Sequence, residues 1–140
     1  MPTQTADAGY SGTPLARKLG IVAGSRVCLR HAPAGYVQWL APMPDGVCFE
    51  SEASQTTPIV HVFAERRALL QAELEQVRQA MPGHGAIWVS WPKKASKVAT
   101  DITEDTIRDL ALPLGLVDVK VCAVTAVWSG LKLVIRKALR

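Results

Sequence analysis

Cysteine and histidine are scarce in this chain, and the scarcity excludes several chemistries. Cys28, Cys48 and Cys122 are an odd count without C-x-x-C spacing. They supply neither a disulfide framework nor a zinc motif. Each lies in an apolar run (RVCL, GVCF, KVCAV) and reads as a reduced core residue. His31, His61 and His84 match no metal-ligand spacing, and no serine stands in a G-x-S-x-G elbow, Ser90 and Ser129 included. Long apolar runs are missing too: none approaches the ~18 residues of a membrane span. The opening MPTQTADAGYSG lacks the basic start and apolar stretch of a signal peptide, so a cytoplasmic location is expected.

Charge of one sign is also limited. Sixteen Lys and Arg face twelve Asp and Glu, for a net charge of +4. Residues 1–84 carry seven of each sign, so the surplus, nine against five, belongs to residues 85–140. Such a balance falls short of the clustered basic face of a dedicated nucleic-acid binder, and any anion site is expected in the C-terminal part. What remains is ordinary: 140 residues, 49% hydrophobic, long enough for one domain with a proper core.

Residues 1–9 are expected to form a mobile tail before a single domain over 10–140. Thr13, Pro14 and Gly20 frame a helix over Leu15 to Leu19 as cap, first turn and stop. Strands are expected at Arg26–Arg30, Val47–Phe49, Ile59–Phe63 and Ala86–Trp91. Helices are expected over Ala34–Leu40, Glu65–Ala80 and Glu104–Leu112, the last capped by Thr103. Leu70, Leu74, Val77 and Met81 mark the buried stripe of the longest helix. SEASQTTP, Ser51 to Pro58, has no helical period and reads as a loop. Strands Val117–Val127 and Leu131–Lys137 close the chain as a hairpin turning at Trp128, Ser129 and Gly130. Strands separated by helices predict a three-layer α/β domain, mostly parallel, with an antiparallel C-terminal hairpin.

Two blocks carry a resemblance: YSGTPLARKLGI from Tyr10, and AIWVSWPKK through VATD and LALPLGLVDVKVCAV to WSGLKLVIRK. They resemble an uncharacterised bacterial family of small proteins, a domain of unknown function, which implies no activity. The element order also resembles a shortened class I methyltransferase, a Rossmann-like fold. MPGHGAIWVSW looks like the turn and strand before that fold's last helix, and one strand and one helix are missing where SEASQTTP stands. That family holds S-adenosylmethionine on a glycine-rich turn after the first strand, where only glycine lets the backbone approach the cofactor. HAPAGY offers Gly35 alone, beside Pro33, so no cofactor is expected. Glu50, after the second strand, stands where the resemblance would place a ribose-binding carboxylate.

Ligands of open α/β sheets collect beyond the carboxyl ends of the strands. Trp91, Pro92, Lys93, Lys94, Ser96 and Lys97 follow such an end with three ammonium groups and an indole, which suits an anionic ligand that can stack. The leading expectation is a non-catalytic module that binds an anionic small molecule or an acidic protein surface through Trp91, Lys93, Lys94 and Lys97, with Gly35 and Glu50 at the neighbouring strand ends. An enzyme acting on a nucleotide-like substrate would use His31 with Glu65 or Glu50 as an acid–base pair, and Lys93. His61, mid-strand, reads as a hydrogen-bonded core residue. Trp88 and Trp91, three apart on a strand, are expected to face opposite sides. A third reading is a homodimer through the C-terminal hairpin, with Leu131–Lys137 as its free edge.

Overall fold

The computed structural model describes residues 12–140; the expected tail over 1–9 lies outside them. The chain runs α1 (Leu15–Lys18), β1 (Arg26–Arg30), α2 (Tyr36–Trp39), β2 (Cys48–Glu50), β3 (Ile59–Phe63), α3 (Arg67–Ala80), β4 (Ala86–Pro92), α4 (Glu104–Ala111), β5 (Leu116–Ala123) and β6 (Trp128–Ile135). The strands make one sheet in the order β2-β1-β3-β4-β6-β5. From β2 to β4 they are parallel, and β6 runs antiparallel to both β4 and β5. This is the expected three-layer α/β, Rossmann-like sheet with an antiparallel end.

Side chains alternate across the strands, and the alternation builds two cores. Cys28, Val60, Val62, Ile87, Val89 and Trp91 pack under α3 and α4. Val27, Ile59, Phe63 and Trp88 pack under α1 and α2. The two tryptophans of β4 therefore do face opposite sides. β3 is buried along its whole length, as its β-branched sequence predicts. Trp88 also ties α1 down, its indole N–H donating to the Leu19 carbonyl at 3.0 Å. Burying an aliphatic or aromatic side chain of this kind is worth roughly 1.5–3 kcal/mol, so the central strands supply much of the stability.

Several boundaries differ from expectation. α1 begins without a Thr13 cap, Pro14 occupying the position before it. α2 is one turn rather than two, because Gly35 (φ +93°) enters it left-handed. The hairpin turns at residues 124–127, earlier than expected. Thr125 accounts for the shift: its hydroxyl accepts from the Val127 and Trp128 amides, each at 3.1 Å. Gly130 is thereby left inside β6, where a side chain would not fit: a Cβ would lie 3.0 Å from Val124 Cγ2 and 3.3 Å from the Trp88 ring. β6 is paired on both sides, so the free edge of the hairpin is β5, not Leu131–Lys137. Cys48, expected in the core, is exposed on the edge strand β2, while Cys28 is buried.

The connection from β2 to β3 contains neither helix nor strand. It is nonetheless fastened. Thr57, fully buried, donates to Glu50 Oε1 at 2.8 Å, and the Gln55 amide donates to the carbonyls of Ala80 and Met81 at the end of α3. Among the described residues no helix is long and apolar enough to cross a membrane.

Candidate functional site

Strand order reverses between β1 and β3: α2 leads outward to β2, and the chain returns across β1 to start β3. In open α/β sheets a crevice at such a point is where ligands enter. Here the residues at that point are engaged with one another. At the end of β1 the Arg30 guanidinium donates to both carboxylate oxygens of Glu73 on α3, at 2.6 and 3.2 Å, to Gln76 Oε1 at 2.8 Å and to the Ser51 carbonyl at 3.2 Å. His31, held left-handed at φ +62°, brings Nε2 within 3.0 Å of Glu73 Oε2. Burial works to raise the pKa of Glu73, but the hydrogen bonds from Arg30 and His31 outweigh it and hold the carboxyl below its ordinary value.

His31 thus pairs with Glu73 rather than with Glu65 or Glu50. Glu65 is an exposed residue whose backbone carbonyl accepts from the Thr100 hydroxyl at 2.7 Å and the Asp101 amide at 3.3 Å. Glu50 is engaged by Arg26 and Thr57, which hold its carboxyl below the ordinary range. The sequence did hold a signal for Glu73: it is the one acid in the stripe Leu70, Leu74, Val77, and an acid there needs a partner.

On the α2 side of the same strand ends lies a buried polar chain. Tyr36 Oη is 2.8 Å from His61 Nδ1, and His61 Nε2 is 2.8 Å from Ser90 Oγ. All three residues are buried, His61 and Ser90 completely. Burial pushes the imidazole pKa down to about 3 and the phenol up, so both stay neutral near pH 7. Each ring nitrogen has a hydroxyl partner, as expected of a satisfied core histidine. His61 also stacks on Phe63 at 4.4 Å, with Tyr36, Trp39 and Trp128 packed edge-on or tilted around that ring. The serine is sealed beneath these aromatics and presents no nucleophile.

Beyond β4 the arrangement opens. A cavity of about 800 Å³ lies between the 91–103 segment and the first turn of α4. Trp91, Pro92, Val98, Ala99 and Ile102 provide apolar lining, Lys94, Lys97 and Arg108 provide cations, and Glu104 and Asp105 provide carboxylates. The segment is pinned at both ends. The Lys93 amide donates to Val127 at 2.7 Å, and Asp101 Oδ1 accepts from the Arg67 amide at 2.6 Å, which caps α3 from outside. Thr103 and Thr106 form a reciprocal cap on α4. Arg108 is already neutralised by Glu104, Asp105 and Asp118 at 2.8–3.1 Å. Lys94 and Lys97 make no ion pair among the described residues. Trp91 is 7% exposed and so belongs mainly to the core beneath the cavity. Lys93 does not line it; its charge acts instead on the Cys122 thiol. Of the residues singled out from sequence, then, Trp91, Lys94 and Lys97 come together, while Gly35, Glu50, His31, Glu65 and Lys93 do not join them.

No family model matches the chain, and neither does any curated protein. Solved structures do match. A S-adenosylmethionine-dependent methyltransferase from Aquifex aeolicus superposes with a TM-score of 0.61 at 13% identity, over 86% of this chain and 87% of that one. A putative type 11 methyltransferase from Sulfolobus solfataricus gives 0.58 at 11% identity, over 88% and 90%. A riboflavin-derivative dimethyltransferase from Streptomyces davawensis gives 0.57 at 14% identity, with 92% of this chain spanning 53% of that one. The fold is methyltransferase-like. At these identities the likeness extends to the fold alone.

The residues present do not fit S-adenosylmethionine at the place that fold uses. The turn after β1 carries side chains at four of five positions, His31 to Ala34, leaving Gly35 as its one glycine. α2 offers a single turn, and the acid after β2 is spent on Arg26 and Thr57.

Proposed function

We propose that this protein is a non-catalytic ligand-binding module on a methyltransferase-like scaffold, and that its ligand is a small anionic molecule with an apolar body, held beyond β4. The observation that carries the reading is the pairing of an apolar-lined cavity of about 800 Å³ with two ammonium groups, on Lys94 and Lys97, that have no carboxylate partner among the described residues. An anion supplies the counter-charge that the exposed Lys94 and Lys97 lack, through charge-assisted contacts. The apolar portion would lie on Val98, Ala99 and Ile102. Because the segment is fastened to α3 and to residue Val127, the ligand meets a preformed site and loses little affinity to ordering it. None of the groups that an enzyme reading would use, His31, Glu65 and Lys93, lines this cavity, which supports binding there.

Thermal shift measurements with AMP, ATP, coenzyme A and S-adenosylmethionine test this. A phosphate-bearing compound at about 100 times its Kd stabilises by about 2.7 kcal/mol. The Lys94→Gln/Lys97→Gln variant keeps its basal melting temperature and loses that shift. Stabilisation by S-adenosylmethionine with none by the other three, or an equal shift in the variant, would overturn the proposal.

A further inference from the structure

The opposite face of the sheet carries a second concentration of positive charge, on residues other than those that line the Lys94 and Lys97 cavity. α1 and β5 enclose a hollow of about 470 Å³ lined by Thr13, Arg17, Lys18, Lys120, Val121, Cys122 and Ala123. Three of those residues are cationic and none is acidic. No ion pair engages Arg17, Lys18 or Lys120 among the described residues.

The charges are crowded, not merely present. Lys120 stands directly opposite Lys132 across the β5–β6 ladder, and like charges at opposed positions destabilise a sheet. Lys120 Nζ lies 5.8 Å from the centre of the Trp88 ring, which places its ammonium over the sheet face under α1. Burial holds the Cys122 thiol above its ordinary pKa, against the opposing pull of Lys18, Lys120 and Lys93. Three ammonium groups therefore converge electrostatically on one half-buried sulfur, and Arg17 adds a planar fork of donors at the same hollow.

We infer that this hollow is an anion site for a phosphate-bearing small molecule, with Arg17, Lys18 and Lys120 as its ligands. A phosphate supplies the counter-charge that the fold omits and relieves the repulsion between Lys120 and Lys132. Arg17 can meet two phosphate oxygens at once, and the doubly charged phosphate answers the adjacent lysines as well. The hollow accommodates a diphosphate or a small phosphate ester, but not a folded domain.

Cys122 provides the readout, in a Cys48→Ser background that removes the exposed thiol. Iodoacetamide is neutral, so its alkylation rate follows the thiolate fraction and the access to Cys122. Inorganic pyrophosphate, titrated at constant ionic strength, cancels the lysine field and covers the sulfur. The rate then falls saturably, by about threefold or more. Arg17→Gln/Lys120→Gln abolishes the saturable fall, and Lys18→Gln alone weakens it. Lys94→Gln/Lys97→Gln leaves it intact, which separates this site from the one proposed beyond β4. A rate indifferent to pyrophosphate, a fall without saturation, or an equal fall in the Arg17→Gln/Lys120→Gln protein would overturn the inference.

Discussion

Acid should attack this protein first at His61. In the unfolded chain an imidazole titrates near 6.5, whereas in the fold burial pushes the His61 pKa down to about 3. Between those values the unfolded state binds a proton that the folded state refuses, so the stability from neutral His61 is complete above about pH 6.5 and drains away as the pH falls toward about 3. At about pH 4.5, two units below the free value, the loss amounts to about 2.7 kcal/mol. That is a large part of the roughly 5–15 kcal/mol a domain has to spare. Urea unfolding at about pH 7 and 4.5 measures the drop, and His61→Gln, which does not titrate, should reduce it by about that amount. His31 and His84 are common to both proteins and cancel in the comparison. Should the variant fold poorly, the ring protons of His61 in the unaltered protein give a second reading: their NMR shifts stay constant from neutral pH to about 4.5. A ring that titrates near 6.5, or a pH penalty unchanged by the substitution, would refute the reasoning.

Two further outcomes follow from contacts described above. Glu73→Gln leaves Arg30 only the exposed Glu52, at 3.6 Å, as a carboxylate partner and should cost about 2 kcal/mol, less than the roughly 3–5 kcal/mol of a fully buried broken pair because Glu52 remains and His31 is half exposed. Since the Glu73 pKa is lowered by folding, that deficit is full at neutral pH and narrows as acid protonates the native carboxyl; chemical denaturation at two pH values checks both magnitude and trend. Gly130→Ala forces a methyl against Val124 and Trp88 and should lower stability by about 1–3 kcal/mol, read as a fall in melting temperature, while Ser129→Ala one residue earlier stays within about 0.5 kcal/mol.

The sheet was largely legible because its strands are short apolar or β-branched runs, IVHVF above all, separated by one strongly amphipathic helix. The position of His61 between Val60 and Val62 led correctly to a hydrogen-bonded core residue, yet its partners Tyr36 and Ser90 come from two other elements, and no local pattern names them. The hairpin turn was misplaced for a definite reason. A glycine after Trp128-Ser129 has the signature of a turn, whereas Gly130 serves close packing against Trp88, and Thr125 makes the turn. At the sites, residues adjacent in sequence were separated by the geometry. Lys93 belongs electrostatically to Cys122, while Lys94 and Lys97 line the cavity with Arg108, 11 positions beyond Lys97. The charges around Cys122 span residues 17 to 120, a grouping that only the pairing of α1 with the hairpin creates.

The clasp formed by Ser51–Pro58 bears on where this chain can be opened. Surface loops are ordinarily the places that accept a protease cut, an insertion or a relocated terminus. This one is different, because Thr57 secures the last residue of β2 and Gln55 secures the final carbonyls of α3. Severing it would release an outer strand and unravel the longest helix from its far end together. An engineer seeking new chain ends should leave these eight residues whole, since one short segment holds two elements at once.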